Sequence, residues 1–298
     1  MEREQIRISV RNLVEFILRS GDIDNRRASL DTMEAMQAGS RLHRKIQKKM
    51  GSTYHAEVPL NIIIEEENYE LGIWGRADGI IIEETVTIDE IKGVYLSLDL
   101  LEEPVKVHLA QAKCYAYIYG IQNDLQKINV QMTYGNLDTG DLKYFSYEYS
   151  MQQLQEWFSD LILKYKKWAD FQYEWRKKRQ ASIKELAFPF PYREGQKELA
   201  AGVYRTIARK KNLFIQAPTG VGKTISTLYP AIKAVGEGLG DKIFYLTAKT
   251  VTANVAKETL GILCEKGYRA KSVQITAKEK LCPCEEVDCN PAICPYAK

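Results

Sequence analysis

The chain has 298 residues, 27% of them charged and 45% hydrophobic, with a formal net charge of +3. That length leaves room for two cores, since one core seldom grows far beyond about 250 residues, and so mild a charge names no nucleic-acid partner by itself. No apolar run approaches the roughly 18 residues of a membrane span, and the opening MEREQIRISVRNLVEF carries charges where a secretion signal has an apolar core, so the cytoplasm is the expected compartment.

In chain order, residues 1–50 read as helical: SVRNLVEFILRSG closes at Gly21 and TMEAMQAGSRLHRKIQKKM at Gly51, both placed as C-terminal caps. Strand-like runs follow in AEVPLNIIIEE, YELGIWGRADGIIIEE and TVTIDEIKGVYLSL, which are rich in β-branched residues and broken by glycines and acidic turns. EPVKVHLAQAKCYAYIYG predicts a helix with Pro104 near its start and Gly120 past its end, and KINVQMTYGNLDTGDLKYFSYEY a hairpin turning at NLDTGD. Residues 151–180 predict one long helix in which Trp157, Leu161, Trp168 and Trp175 recur. Cations such as Lys164, Lys167, Arg176 and Lys178 lie between them. Such interleaving suits nucleic acid, but an aromatic core stripe beside a solvated charged face is the more economical reading. FPFPYREGQ marks the boundary between a first domain over 1–180, a linker over 181–187 and a second domain over 188–298. Beyond it come an apolar strand (KKNLFIQ), a helix (TISTLYPAI) and a second strand–helix pair (FYLTAKTVTANVAKETL).

Within GRADGIIIEETVTIDEIKG, pairing of Ile80–Ile82 with Val86–Ile88 about a turn at residues 83–85 puts Asp78 across from Glu90. Directly opposed side chains have Cβ atoms about 5 Å apart, close enough for two carboxylates to share a divalent cation. Alternation sends Glu90 and Lys92 to one face. Carboxylates hold Mg²⁺ or Mn²⁺, and a lysine beside them can orient water or offset charge on a pentavalent phosphate. A surface hairpin with its charges in solvent is the competing reading. On the following helix Gln111 and Tyr115 share a face, with His108 one turn earlier.

The order Asp78, Glu90, Lys92 followed by Gln-x-x-x-Tyr, with His43 upstream in GSRLHRKIQ, resembles the RecB-type PD-(D/E)xK nucleases. The resemblance implies a restriction-endonuclease-like mixed sheet flanked by helices. It further implies metal ligation by Asp78, Glu90 and His43, catalysis assisted by Lys92, and contact with the substrate strand through Gln111 and Tyr115. Some members carry iron–sulfur cysteines around this fold. This domain has Cys114 alone, which is read, like Cys264, as a small buried apolar residue.

APTGVGKTISTLYPAI, between strand and helix, fits a phosphate-binding loop: Gly220 and Gly222 let N–H groups turn towards phosphate oxygens, Lys223 reaches the β/γ oxygens, and Thr224 ligates Mg²⁺. With Ala217 in place of the first glycine it resembles DinG- and XPD-type helicases, which implies an adenine contact by Gln196 in YREGQ and an incomplete RecA-like motor lobe. Four of the six cysteines, Cys282, Cys284, Cys289 and Cys294, close the chain. Thiolates suit zinc or a 4Fe-4S cluster; their spacing and the helicase resemblance favour the cluster, with Cys284 the one that relatives with a later cysteine would spare. The resemblance places that cysteine, the Walker B acids and a second lobe past Lys298, so the motor is expected to be truncated here. The composite expectation is a metal-dependent DNA nuclease joined to an ATP-dependent helicase, with single-stranded DNA as partner and no membrane. The rival is a nuclease fold that has lost hydrolysis and serves as a DNA-binding clamp feeding the motor.

Overall fold

The structure, a computed structural model, describes residues 3–19, 32–218, 220–248, 250–285 and 294–296. The chain divides into two compact units, one of Met1–Asp170 together with Glu286–Lys298 and the other of Phe171–Glu285, and the first division falls inside a 35-residue helix, α4 (Met151–Glu185). No helix is long and apolar enough to cross a membrane among the described residues.

The first unit is a mixed α/β layer built on β1 (Glu4–Ser9), β2 (Tyr54–Glu65), β3 (Tyr69–Ile81), β4 (Thr87–Val94), β5 (Lys127–Asn136) and β6 (Leu142–Ser150). Helices α1 (Val10–Ile17), α2 (Thr32–Gln47), α3 (Lys106–Gln122) and the first part of α4 flank it. The opening residues form a strand where helix was expected: EQIRIS alternates, burying Ile6, and pairs parallel to β3. Helix begins only at Ser9, whose hydroxyl accepts the Asn12 N–H. Gly21 lies outside the described residues. Helix α3 runs past Gly120 to a cap at Asn123, and Gly120 serves as a packing site, since Met151 occupies the place a Cβ there would take. The β5–β6 turn is held by Asn136, whose Oδ1 accepts the N–H groups of Asp138 and Thr139 at 2.9 Å.

Strand β3 organises the sheet. Antiparallel β2 covers one of its edges along residues 70–81, so β1, paired with 69–74, and β4, paired with 79–81, must share the other. On that edge residues 75–78 have no strand neighbour, and the sheet forks there. Strand β4 continues alongside parallel β5. Its outer side carries Ile91 against Leu42 and Ile46 of α2, and α2 sits close because Gly93 and its partner Gly135 are bare: a Cβ on either would meet Leu42 at 3.3 and 2.7 Å. Helix α4 buries Leu154, Phe158, Leu161, Ile162, Tyr165 and Ala169. The tryptophans expected as its core stripe flank that seam instead; Trp157 and Trp175 are half-buried and Trp168 is 43% exposed. Each of the three rings has a lysine ammonium over it, Lys113 at 4.2 Å from Trp157, Lys167 at 5.5 Å from Trp168 and Lys271 at 4.6 Å from Trp175.

The second unit comprises the end of α4 with α5 (Gln196–Ala208), α6 (Lys223–Gly236), α7 (Thr250–Glu265) and α8 (Lys278–Leu281). Ile183, Leu186, Ile225, Ile232, Val235, Leu263 and Tyr268 form its core. The strands expected at KKNLFIQ and FYLTAK are not formed: these segments have no ladder partner among the described residues, and Phe214 and Leu246 are 94% and 89% exposed. A parallel strand exists only through neighbours that satisfy its backbone. Cys264, expected to be buried, is exposed on α7, while Cys114 is fully buried on α3.

Candidate metal centre

The fork places the charged groups. The β2–β3 ladder pairs Ala56 with Gly79 and Val58 with Ala77, passing over Glu57 and Asp78. Glu57 takes a left-handed backbone with φ 57°, a conformation that costs a non-glycine residue about 1 kcal/mol or more. Opposite this interruption, the Ile91 N–H has no strand carbonyl on β3 and donates instead to Asp78 Oδ2 at 2.8 Å. His43 of α2 comes to 3.5 Å from Asp78 Oδ1 through Nδ1. Gln47, one turn on, donates to the Asp78 carbonyl at 3.0 Å and to Glu57 Oε1 at 3.2 Å. His43, Glu57 and Asp78 thus offer ligand atoms all within 4.8 Å of one another, and they are the one such group of three among the described residues. An imidazole and two carboxylates form a donor set suited to Mg²⁺ or Mn²⁺.

Glu90 lies beside them with its side chain fully buried and paired with Lys92 Nζ at 2.7 Å. The register Gly79–Asp89, Ile80–Ile88, Ile81–Thr87 carries Asp78 towards Glu90, as the pairing proposed from sequence implies. Burial, then the Asp78 charge, push the Glu90 carboxyl up to about 8 against the pull of Lys92. Its Oε2 is buried without a hydrogen-bond partner. Such an orphaned oxygen is the position a cation or an ordered water would satisfy, so the residues fit a divalent ion. Lys92 also donates to Gln111 Oε1 at 3.3 Å. Tyr115 is buried in the fork, its hydroxyl raised by burial and the Glu90 charge and hydrogen-bonded with Gln111. It enters because Gly75 has no side chain; a Cβ there would lie 2.5 Å from the tyrosine oxygen.

The outer side of β4 fixes this strand. Asp89, fully buried, accepts from Tyr54 at 3.0 Å, Thr133 at 2.5 Å and Gln131 at 3.2 Å, tying β4 to its neighbour β5 and, beyond β3, to β2, one residue from Glu90. His108, on the face with Gln111, is pushed down to about 4 by burial and the charges of Lys92 and Arg11. Neutral at pH 7, its Nδ1 shares a 3.0 Å hydrogen bond with the Tyr134 hydroxyl, which also accepts the Val105 N–H. Sequence reasoning missed Glu57 and Asp89. Asp89 stood next to Glu90 in IDEIK, where alternation points it away from the site, and no sequence signal announces a left-handed glutamate.

In the second unit Gly220 and Gly222 take φ 84° and 78°, and Gly222 caps α6, where Lys223 begins. Lys223 Nζ folds back onto the carbonyls of Ala217 and Pro218 at 3.1 and 2.7 Å. Thr224 follows on the first turn. Gln196, 3% exposed, accepts the Arg193 N–H and donates to the Val221 carbonyl, both at 3.0 Å, while the Arg193 guanidinium holds the Gly220 carbonyl. The loop is thereby braced by the segment read as an adenine contact. Cys282 and Cys284, and Cys294 in the closing segment that groups with the first unit, are half-buried; Cys289 lies outside the described residues.

No family model matches the chain. Over 51 residues it is 51% identical to "Probable ATP-dependent helicase MJ0942" of Methanocaldococcus jannaschii, a stretch amounting to 17% of this chain and 8% of that protein's length. Among solved structures it resembles SSO0001 (19% identity, TM-score 0.34, covering 55% of this chain and 78% of that one). It also resembles an alkaline exonuclease, LHK-Exo, from Laribacter hongkongensis (12% identity, TM-score 0.35, covering 57% and 92%).

Proposed function

We propose that the first unit is a metal-dependent deoxyribonuclease of the PD-(D/E)xK type, joined to the opening part of a DinG-like, ATP-dependent helicase lobe. One observation carries the nuclease reading: the fork in the sheet gathers His43, Glu57 and Asp78 beside the buried Glu90–Lys92 pair. In this reading His43, Asp78, Glu90 and Glu57 hold the cation, which supplies Lewis acidity and an activated water. Lys92, fixed between Glu90 and Gln111, keeps an ammonium beside the developing phosphate charge. Gln111 and Tyr115 line the fork and position the strand, and neutral His108 offers its other ring nitrogen for hydrogen bonding. The substrate is DNA, single-stranded or unwinding, in the cytoplasm. Gly220, Gly222, Lys223 and Thr224 cradle ATP and Mg²⁺. Cys282, Cys284, Cys289 and Cys294 are the ligand candidates for a 4Fe-4S cluster.

Labelled single-stranded DNA incubated with the chain and Mn²⁺ tests the proposal. Degradation that requires the ion and disappears in Glu90→Ala and Lys92→Ala is the expected result. Degradation that persists in those variants rejects the site, and binding without degradation selects the clamp reading. Anaerobic purification with iron analysis tests the cluster; zinc in place of iron overturns it.

A further inference from the structure

Helix α1 presents a face that the metal centre does not use. Leu13 and Val14 bury its inner side, while Arg11, Glu15 and Phe16 are exposed. Arg11 stands in the first turn, just beyond Ser9, which pairs with Trp74 of β3, so the helix begins where the fork opens. The Arg11 guanidinium is held in its charged form chiefly by Glu15, with a smaller contribution from a Glu90 carboxylate. It pairs with Glu15 at 2.8 Å, with both side chains half or more in solvent. An exposed pair of this kind is weak and easily exchanged. At the other edge of the exposed arc of the helix, Phe16 is 46% exposed and meets Trp168 of α4, itself 43% exposed, edge to face at 5.2 Å. Lys167 lies 5.5 Å from the Trp168 ring. Phe16 is five positions after Arg11, about 7.5 Å of rise and about 140° around the helix, so the two side chains bracket the exposed arc, a span that a single strand crosses in one or two nucleotides. Exposed aromatic surface flanked by cations and continuous with a phosphodiester site suits unpaired nucleotides, since every base has a π-face and every nucleotide a phosphate.

We infer that the outer face of α1, together with Trp168, is a track for single-stranded DNA entering or leaving the metal centre. Arg11 binds a backbone phosphate beside the scissile one, and the Phe16–Trp168 pair stacks an unpaired base. The inference takes its starting point from the nuclease reading. Glu15 is the internal competitor that the phosphate displaces from Arg11.

The test is fluorescence anisotropy of the full chain with labelled oligodeoxythymidylate in Ca²⁺, with cleavage measured separately in Mn²⁺. Arg11→Ala should weaken binding several-fold and reduce the slope of log Kd against log salt by about 0.7, the value for one phosphate contact on a single strand. Glu15→Gln, which frees Arg11, should tighten binding by about twofold. A merely structural role would not give these opposite signs, because both substitutions end the same ion pair. Phe16→Ala should cost about tenfold on the single strand and leave a duplex of equal length unaffected. Binding unchanged in Arg11→Ala and Phe16→Ala, with Mn²⁺-dependent cleavage still abolished by Lys92→Ala, overturns the track and leaves the nuclease reading standing. Equal losses on single strand and duplex overturn the single-strand assignment. No binding by the parent chain overturns the track together with the nuclease reading.

Discussion

Glu90→Gln separates the chemistry of the metal centre from its stability. In the ion-free protein, burial and Asp78 raise the Glu90 carboxyl from 4.5 to about 8. Between those values the folded chain holds a proton that the unfolded chain has released. Stability is therefore greatest below pH 4.5 with respect to this group, falls as pH rises towards 8 and levels off above it. At about 1.4 kcal/mol per pH unit the full span is on the order of 5 kcal/mol, and the attraction of Lys92 is already included in that figure. The amide removes the titration while its oxygen retains the hydrogen bond from Lys92, so urea midpoints measured in EDTA should show the variant more stable than the parent at pH 9. The difference should shrink towards pH 5, with m-values unchanged. Saturating Mn²⁺ should reverse the order, since an ion that needs the ionised carboxylate stabilises the parent alone, and Mn²⁺-dependent cleavage should be lost. Parallel pH profiles for the two proteins in EDTA would refute the reasoning, because Glu90 would then be ionised and solvated in the fold.

Further substitutions probe the surrounding frame. Gly75→Ala places a methyl 2.5 Å from the Tyr115 oxygen on a ring that is 3% exposed; overpacking of about 1–3 kcal/mol and a loss of cleavage larger than the loss of DNA binding are expected, and wild-type kinetics would show that Tyr115 need not enter the fork. Thr133→Val removes the shortest hydrogen bond to buried Asp89 and should destabilise the unit by about 1–3 kcal/mol, read from thermal unfolding in EDTA. Lys223→Ala should abolish binding of a fluorescent ATP analogue while leaving Mn²⁺-dependent cleavage intact; retained nucleotide affinity would remove the phosphate-loop assignment.

The hairpin of β3 and β4 was legible because its register is local: an acidic turn joins the apolar run Ile80–Ile82 to the strand carrying Ile88, and the resulting pairing buries both Ile80 and Ile88. The shared faces of Gln111 with Tyr115 and of Glu90 with Lys92 followed from helix and strand periods, while their role in a site came from the resemblance. Strand β1 was not legible, since EQIRIS offers two isoleucines and its parallel partner starts at Tyr69, a long-range pairing that local pattern cannot reveal. The fork is likewise a tertiary property, created by two strands competing for one edge of β3. In the second unit the apolar segments read as strands on composition, but Phe214 and Leu246 have no ladder to join. The exposed Trp168 shows the opposite error: of the stripe expected to pack inside, Leu161 is buried, but its companions in the seam are Leu154 and Phe158 and not the tryptophans.

Glu57 joins a functional group to an unfavourable backbone. Glycine adopts φ 57° without penalty, so Glu57→Gly should relax the strand interruption by about 1 kcal/mol while deleting an oxygen donor from the centre. Drift governed by folding alone would therefore exchange the acid for glycine or asparagine. Retention of an acidic side chain here among close homologues would record selection for ion capture acting against thermal robustness, at a site where the two demands pull a single codon in opposite directions.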